Sequence, residues 1–277
     1  MTVVNSKIIA IANQKGGVGK TTTVVNLATA MAACNKSVLI IDSDPQGNAS
    51  TGLGLNKQEL KISFYDVITY KSKIDNAISK TQIPNLYIIP TSIDLAAIEQ
   101  EFVNIKSREL RFKQALNDLT KKFDYIIIDC PPSLGLLTIN ALVAANNLLV
   151  PLQVEFYALE GLTQLMNTFK QIKNNFNRDI HLQGIVLTMY DKRNKISELV
   201  AKDVKDFFKD KVYKTVIPRN VKISEAPSHG LPILMYDITC SGSQAYASLA
   251  AEIINQENDR IWINQSNSHL EEDSQVF

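Results

Sequence analysis

Short runs of β-branched and other apolar residues recur along the chain: 7–13 (KIIAIAN), 37–42 (SVLIID), 86–90, 124–130 (DYIIIDC), 147–152, 183–189 and 214–218. Each is continuously apolar rather than alternating, the pattern of a strand buried on both faces. Between them the apolar positions take helical spacing, as at Val24, Leu27, Met31 and Cys34 in 20–34. Further helices are predicted over 92–104, 107–121, 135–145, 158–174, 195–209 and 241–255. Buried strands alternating with helices predict one doubly wound α/β domain with a mostly parallel sheet.

Two stretches break the pattern. Residues 52–83 hold short helical pieces among many polar residues, and read as an inserted lid. After residue 256 the chain is polar and acidic, which places a domain at 1–256 and a flexible tail at 257–277.

Composition narrows the class. The chain has 277 residues, 45% hydrophobic and 21% charged, with a net charge of +1, as in an ordinary globular protein. No apolar run approaches the roughly 20 residues of a membrane span, and the N-terminus lacks the form of a signal peptide. Cys34, Cys130 and Cys240 are odd in number and far apart, which argues against a disulfide framework or metal site and suits a cytoplasmic protein.

The chemistry is concentrated at the first turn. After the strand at 7–13 comes KGGVGKTT, Lys15 to Thr22, then a helix. This is the setting of a phosphate-binding loop, although the pattern G-x-x-x-x-G-K-[ST] has Gln14 where its first glycine belongs. Gly16, Gly17 and Gly19 let backbone N–H groups approach phosphate oxygens, and the helix N-terminus adds its dipole. Lys20 is placed for the β- and γ-phosphates and Thr21 for Mg²⁺. Asp129, ending an apolar strand, is the candidate acid for Mg²⁺ through water. Asp42 and Asp44 in DSDPQGN are candidates to orient an attacking water. Asp44, ahead of Pro45 in a switch-like loop, is preferred, and Asp42 is read as a support.

KGGVGKTT resembles the deviant Walker A motif of the ParA/MinD class of P-loop ATPases. With DSDPQGN (42–48), DCPPSLGLLT (129–138) and IPRNVKISEAPSHGLPI (217–233), the chain resembles the ParA/Soj partitioning ATPases over about 7–255. The resemblance implies a P-loop NTPase of the SIMIBI class, with ATP and Mg²⁺ as cofactors. It implies that Lys15 acts in trans on the partner subunit's ATP, Lys20 in cis, Thr21 on Mg²⁺ and Asp44 on water. Gly16, Gly17, Val18, Gly19 and Thr22 complete the phosphate site, and Met189, Pro218 and Asn220 take the adenine. Arg193 and Lys222 are the implied contacts to non-specific DNA; arginine is usual at the second position. Ten basic and five acidic residues between 190 and 222 agree with a basic surface.

The implied function is an ATPase that dimerises on ATP, binds DNA without sequence preference and meets a ParB-like partner in chromosome or plasmid partition, nucleoid-associated and away from membrane. The alternative is a MinD-like membrane-associated division regulator, which needs a basic amphipathic C-terminus that the acidic tail does not provide. An iron–sulfur carrier needs paired cysteines. A small-molecule ligase or kinase on the same scaffold is disfavoured by the IPRN…SEAPSHG segment.

Overall fold

The computed structural model describes residues 6–56 and 60–273, with side chains to residue 257. Eight strands form one sheet: β1 (Lys7–Ile11), β2 (Val38–Asp42), β3 (Ser79–Lys80), β4 (Leu86–Ile89), β5 (Tyr125–Asp129), β6 (Asn147–Gln153), β7 (His181–Tyr190) and β8 (Val212–Pro218). Their spatial order is β3-β4-β2-β5-β1-β6-β7-β8. Every pairing is parallel except the short β3–β4 edge.

The continuous apolar runs have a direct structural cause. Successive strand residues point to opposite faces, and both faces are covered. Ile9, Ile11, Ile40, Ile127 and Val186 pack with the helix Lys20–Ala33 and the start of the last helix. Ala10, Leu39, Ile41, Ile126, Ile128 and Leu187 pack with the helices Leu136–Ala144 and Ala158–Asn175 on the other side. Two separate cores therefore flank one sheet.

The chain winds outward from β1 in both directions: β2 lies beyond β5 on one side and β6 adjoins β1 on the other. Such a reversal opens a crevice at the carboxyl ends of the strands, where ligands of doubly wound folds sit. The glycine loop after β1, Asp42 at the end of β2, Asp129 at the end of β5 and Met189 near the end of β7 all lie at these ends.

Two expectations need correction. The segment 52–83 is not a lid: Phe64, Val67, Ile68, Ile74 and Ala77 are buried in the second of these cores, and Ser79–Lys80 add the antiparallel edge strand. Its polar residues masked a framework role. The last helix also does not stop near 255; it runs Ser241–Asp273. Glu257, assigned to the tail, is buried. Its carboxylate accepts from Tyr125 Oη at 2.6 Å and pairs with Lys7 at 2.6 Å. Residues 274–277 of the expected tail lie outside the described residues.

Candidate nucleotide site

The glycine loop is built for close approach. Gly17 and Gly19 have φ of 74° and 88°, left-handed values that a side chain would strain. Val18 between them points inward and is buried, and its carbonyl accepts the Thr188 hydroxyl at 2.9 Å. Asn13, just upstream, donates to Pro151 O at 2.8 Å and accepts Lys15 N at 3.0 Å. The loop is thus pinned from β6 and β7 as well as from its own helix, with its polar backbone free to face an anion.

The two lysines of the loop differ. Lys20 is buried and donates to Lys15 O at 2.9 Å, curling under the loop. Burial lowers its pKa, and Asp129 and Asp44 hold it toward the cation. Lys15 is exposed and forms an ion pair with Glu155, which follows β6. Thr21 and Thr22 are half-buried at the helix start.

Beside Lys20 lies a cluster of carboxylates. Asp129 is fully buried, and neither oxygen has a partner in full hydrogen-bond geometry. Burial raises its pKa well above the carboxylate range, the nearby Asp42 adds to this, and the Thr21 hydroxyl and Lys20 pull it back. A buried, unpartnered carboxylate beside a threonine hydroxyl is the donor set a hard divalent cation prefers. Asp42 accepts Ser50 N at 2.9 Å and Ser50 Oγ at 2.7 Å, the supporting role expected of it. Its pKa is nevertheless raised to about 6, chiefly by burial. Asp44 is buried too, with its Oδ1 accepting from Gln46 N at 3.0 Å.

From Gly19 a cavity of about 320 Å³ runs toward the last strand, lined by Thr22, Met189, Pro218 and Asn220. The three predicted base contacts, Met189, Pro218 and Asn220, come from two later segments of sequence and line one cavity with Thr22 of the loop helix. Tyr246 of the last helix closes it, hydrogen-bonded to Thr23 at 3.3 Å. Met189 adopts φ 51°, so the backbone leaves the strand geometry where the cavity begins.

Arg193 and Lys222 are both exposed, but neither is a free cation. Arg193 forks onto Asp191 through Nε at 3.0 Å and Nη2 at 2.9 Å. Lys222 pairs with Glu225 at 3.4 Å and lies over the Tyr236 ring. Sequence reasoning missed these acids, and it missed Glu155, Thr188 and Tyr246. Asp191, two residues from Arg193, and Glu225, three residues from Lys222 on the same helix, are within local reach; Glu155, Thr188 and Tyr246 are brought in by tertiary contact.

Loop, carboxylates and cavity together define a P-loop nucleotide-binding protein of the doubly wound class. The family model described as "AAA domain" (AAA_31) matches residues 6–182. Chromosome partitioning protein ParA of Caulobacter vibrioides is 53% identical over 256 residues, covering 92% of this chain and 96% of its own length. Sporulation initiation inhibitor protein Soj of Bacillus subtilis is 52% identical over 247 residues, covering 89% and 98%. Among solved structures, cobyrinic acid a,c-diamide synthase from Mycobacterium smegmatis with bound ADP and magnesium superposes with a TM-score of 0.80 at 34% identity, covering 91% of this chain and 96% of that one. The chain belongs to the ParA/Soj family of chromosome-partitioning ATPases.

Proposed function

We propose that this protein hydrolyses ATP to ADP and phosphate and uses the nucleotide to switch a dimeric, DNA-binding state in chromosome or plasmid partition. The carrying observation is the continuity of the pinned glycine loop with the cavity where Gly19, Thr22, Met189, Pro218 and Asn220 meet. A triphosphate on the loop extends its base into that cavity.

The loop's N–H groups and Lys20 bind the β- and γ-phosphates. Thr21 and, through water, Asp129 are the groups that fit Mg²⁺; the ion neutralises charge on the phosphate oxygens when bound. Asp44 orients the attacking water. Lys15 leaves Glu155 and stabilises charge on the ATP of a second subunit, an arrangement a two-fold dimer makes reciprocal. Arg193 and Lys222 then engage DNA phosphates, each exchanging an acidic neighbour for the ligand. A ParB-like protein stimulates hydrolysis and resets the cycle. The ParA name of the Caulobacter relative supports this reading.

Isothermal titration with MgATP tests the first step. Native protein binds, and Lys20→Ala loses binding while remaining folded by circular dichroism. Equal ATP affinity in the two proteins contradicts the site.

A further inference from the structure

The turn that follows Asp129 leads into the helix Leu136–Ala144. The residue at the cap of that helix is Gly135, which has no side chain to satisfy the first N–H groups. Glu99 supplies the missing acceptor: its Oε1 accepts Leu136 N at 3.0 Å from 37 residues upstream. Gly135 has φ −77° and ψ −170°, extended values open to any residue, so the backbone does not require glycine there. Space does, because a Cβ on Gly135 would meet the Glu99 carboxylate. The turn is also tied by Thr138 Oγ1, which donates to Ser133 O at 2.6 Å. It lies against the phosphate loop: a Cβ on Gly16 would be 3.9 Å from Pro132 Cβ.

Glu99 stands on the short helix Ile98–Glu101, in a segment held to the core by Leu95 and Ile98. The residues just before it, Thr91 to Asp94, line a cavity of about 500 Å³ with Pro45 and Gln46 of the Asp44 loop. One segment therefore borders the Asp44 loop at one end and fixes the turn after Asp129 at the other.

We infer that Glu99 is a positioning residue for hydrolysis, holding the turn Pro131–Gly135 against the phosphate loop so that the Asp44 and Asp129 sides of the site keep one geometry. The inference rests on the ATPase reading and adds a residue outside the nucleotide site. Glu99 acts through Leu136 N, not on the phosphates. Its side chain is exposed, so truncating it opens no cavity in the core. What changes is the placement of the turn, and a displacement of about 1 Å in a reacting geometry costs up to about 100-fold in rate.

Turnover of MgATP and its affinity, both measured on the full chain, separate positioning from folding. Glu99→Ala is expected to lower kcat about tenfold, with the Kd for MgATP within about twofold of native and the melting temperature retained. Glu99→Gln keeps an amide oxygen for Leu136 N, and its kcat is expected within about threefold of native. Gly135→Ala pushes the flexible carboxylate aside at an allowed backbone conformation, and is expected to reproduce the loss seen in Glu99→Ala. Because the two changes break one contact, the double variant should fall no further than either single.

Native kcat in folded Glu99→Ala overturns the inference. So does a loss in Glu99→Gln as large as in Glu99→Ala, or losses that multiply in the double variant. A loss carried by MgATP affinity with kcat unchanged also overturns it. If native protein itself hydrolyses no ATP, the ATPase reading fails and this inference with it.

Discussion

Asp42 and Asp129 stand at the same register position on the neighbouring strands β2 and β5, both completely buried. Two acids in contact with the sheet interior are held there by the fold, and each disfavours the other's charge.

The pH dependence of stability follows with a definite sign. Asp42 moves from 3.8 to about 6 in the folded protein. A raised carboxyl pKa means that the native state holds its proton more tightly than the unfolded chain. Stability from this group is therefore greatest below about pH 4, declines through the window up to about pH 6 and is flat above. The full loss is on the order of 3 kcal/mol. Asp42→Asn keeps an oxygen for Ser50 and removes the charge. Urea unfolding should show the variant gaining on native protein as pH rises from 4.5 to 7, with little difference at the acid end. A difference independent of pH contradicts the assignment.

Gly230 tests the segment that frames the base cavity. Its φ is 63°, and a Cβ there meets Gly54 Cα at 2.8 Å, backbone against backbone. Gly54 closes the stretch that follows the Asp44 loop, so this contact joins two parts of the site. Gly230→Ala should lower stability by about 1–3 kcal/mol. Gly161, inside the helix Ala158–Asn175, has open space at its Cβ, and Gly161→Ala should stabilise by about 0.5–1 kcal/mol. Thermal melts of the pair check both signs; equal effects contradict the packing.

The basic surface makes a prediction that the sequence alone reverses. Arg193 is clamped by Asp191, whose carboxyl it holds down to about 2. Asp191→Asn should raise DNA affinity a few-fold at low salt, by freeing the guanidinium and removing a repelling charge. Arg193→Ala should weaken binding and reduce the slope of log K against log salt by about 0.9. Fluorescence anisotropy with unrelated duplexes reads both. Weaker binding by Asp191→Asn would show that the ion pair itself presents the arginine.

These contrasts mark what the sequence made legible. Strands such as VLIID and YIIID declare themselves because both faces are buried, and the glycine loop because its chemistry is local. β3 spans only Ser79–Lys80, too short for any period. The 52–83 segment misled because its core residues are spaced among polar ones rather than in a run. Glu257 reads as one more acid of a tail until the fold brings Tyr125 and Lys7 to it. Glu155 and Lys15 are far apart in sequence, and nothing local pairs them.

The central claim is that nucleotide drives association through Lys15. Sedimentation velocity of Asp44→Ala, with hydrolysis blocked, measures it directly. With MgATP the variant should sediment as a dimer, and with MgADP as a monomer. Adding Lys15→Ala should return it to monomer in ATP while ATP binding by each chain persists. A monomer for Asp44→Ala in saturating MgATP, or a dimer indifferent to Lys15, contradicts the account.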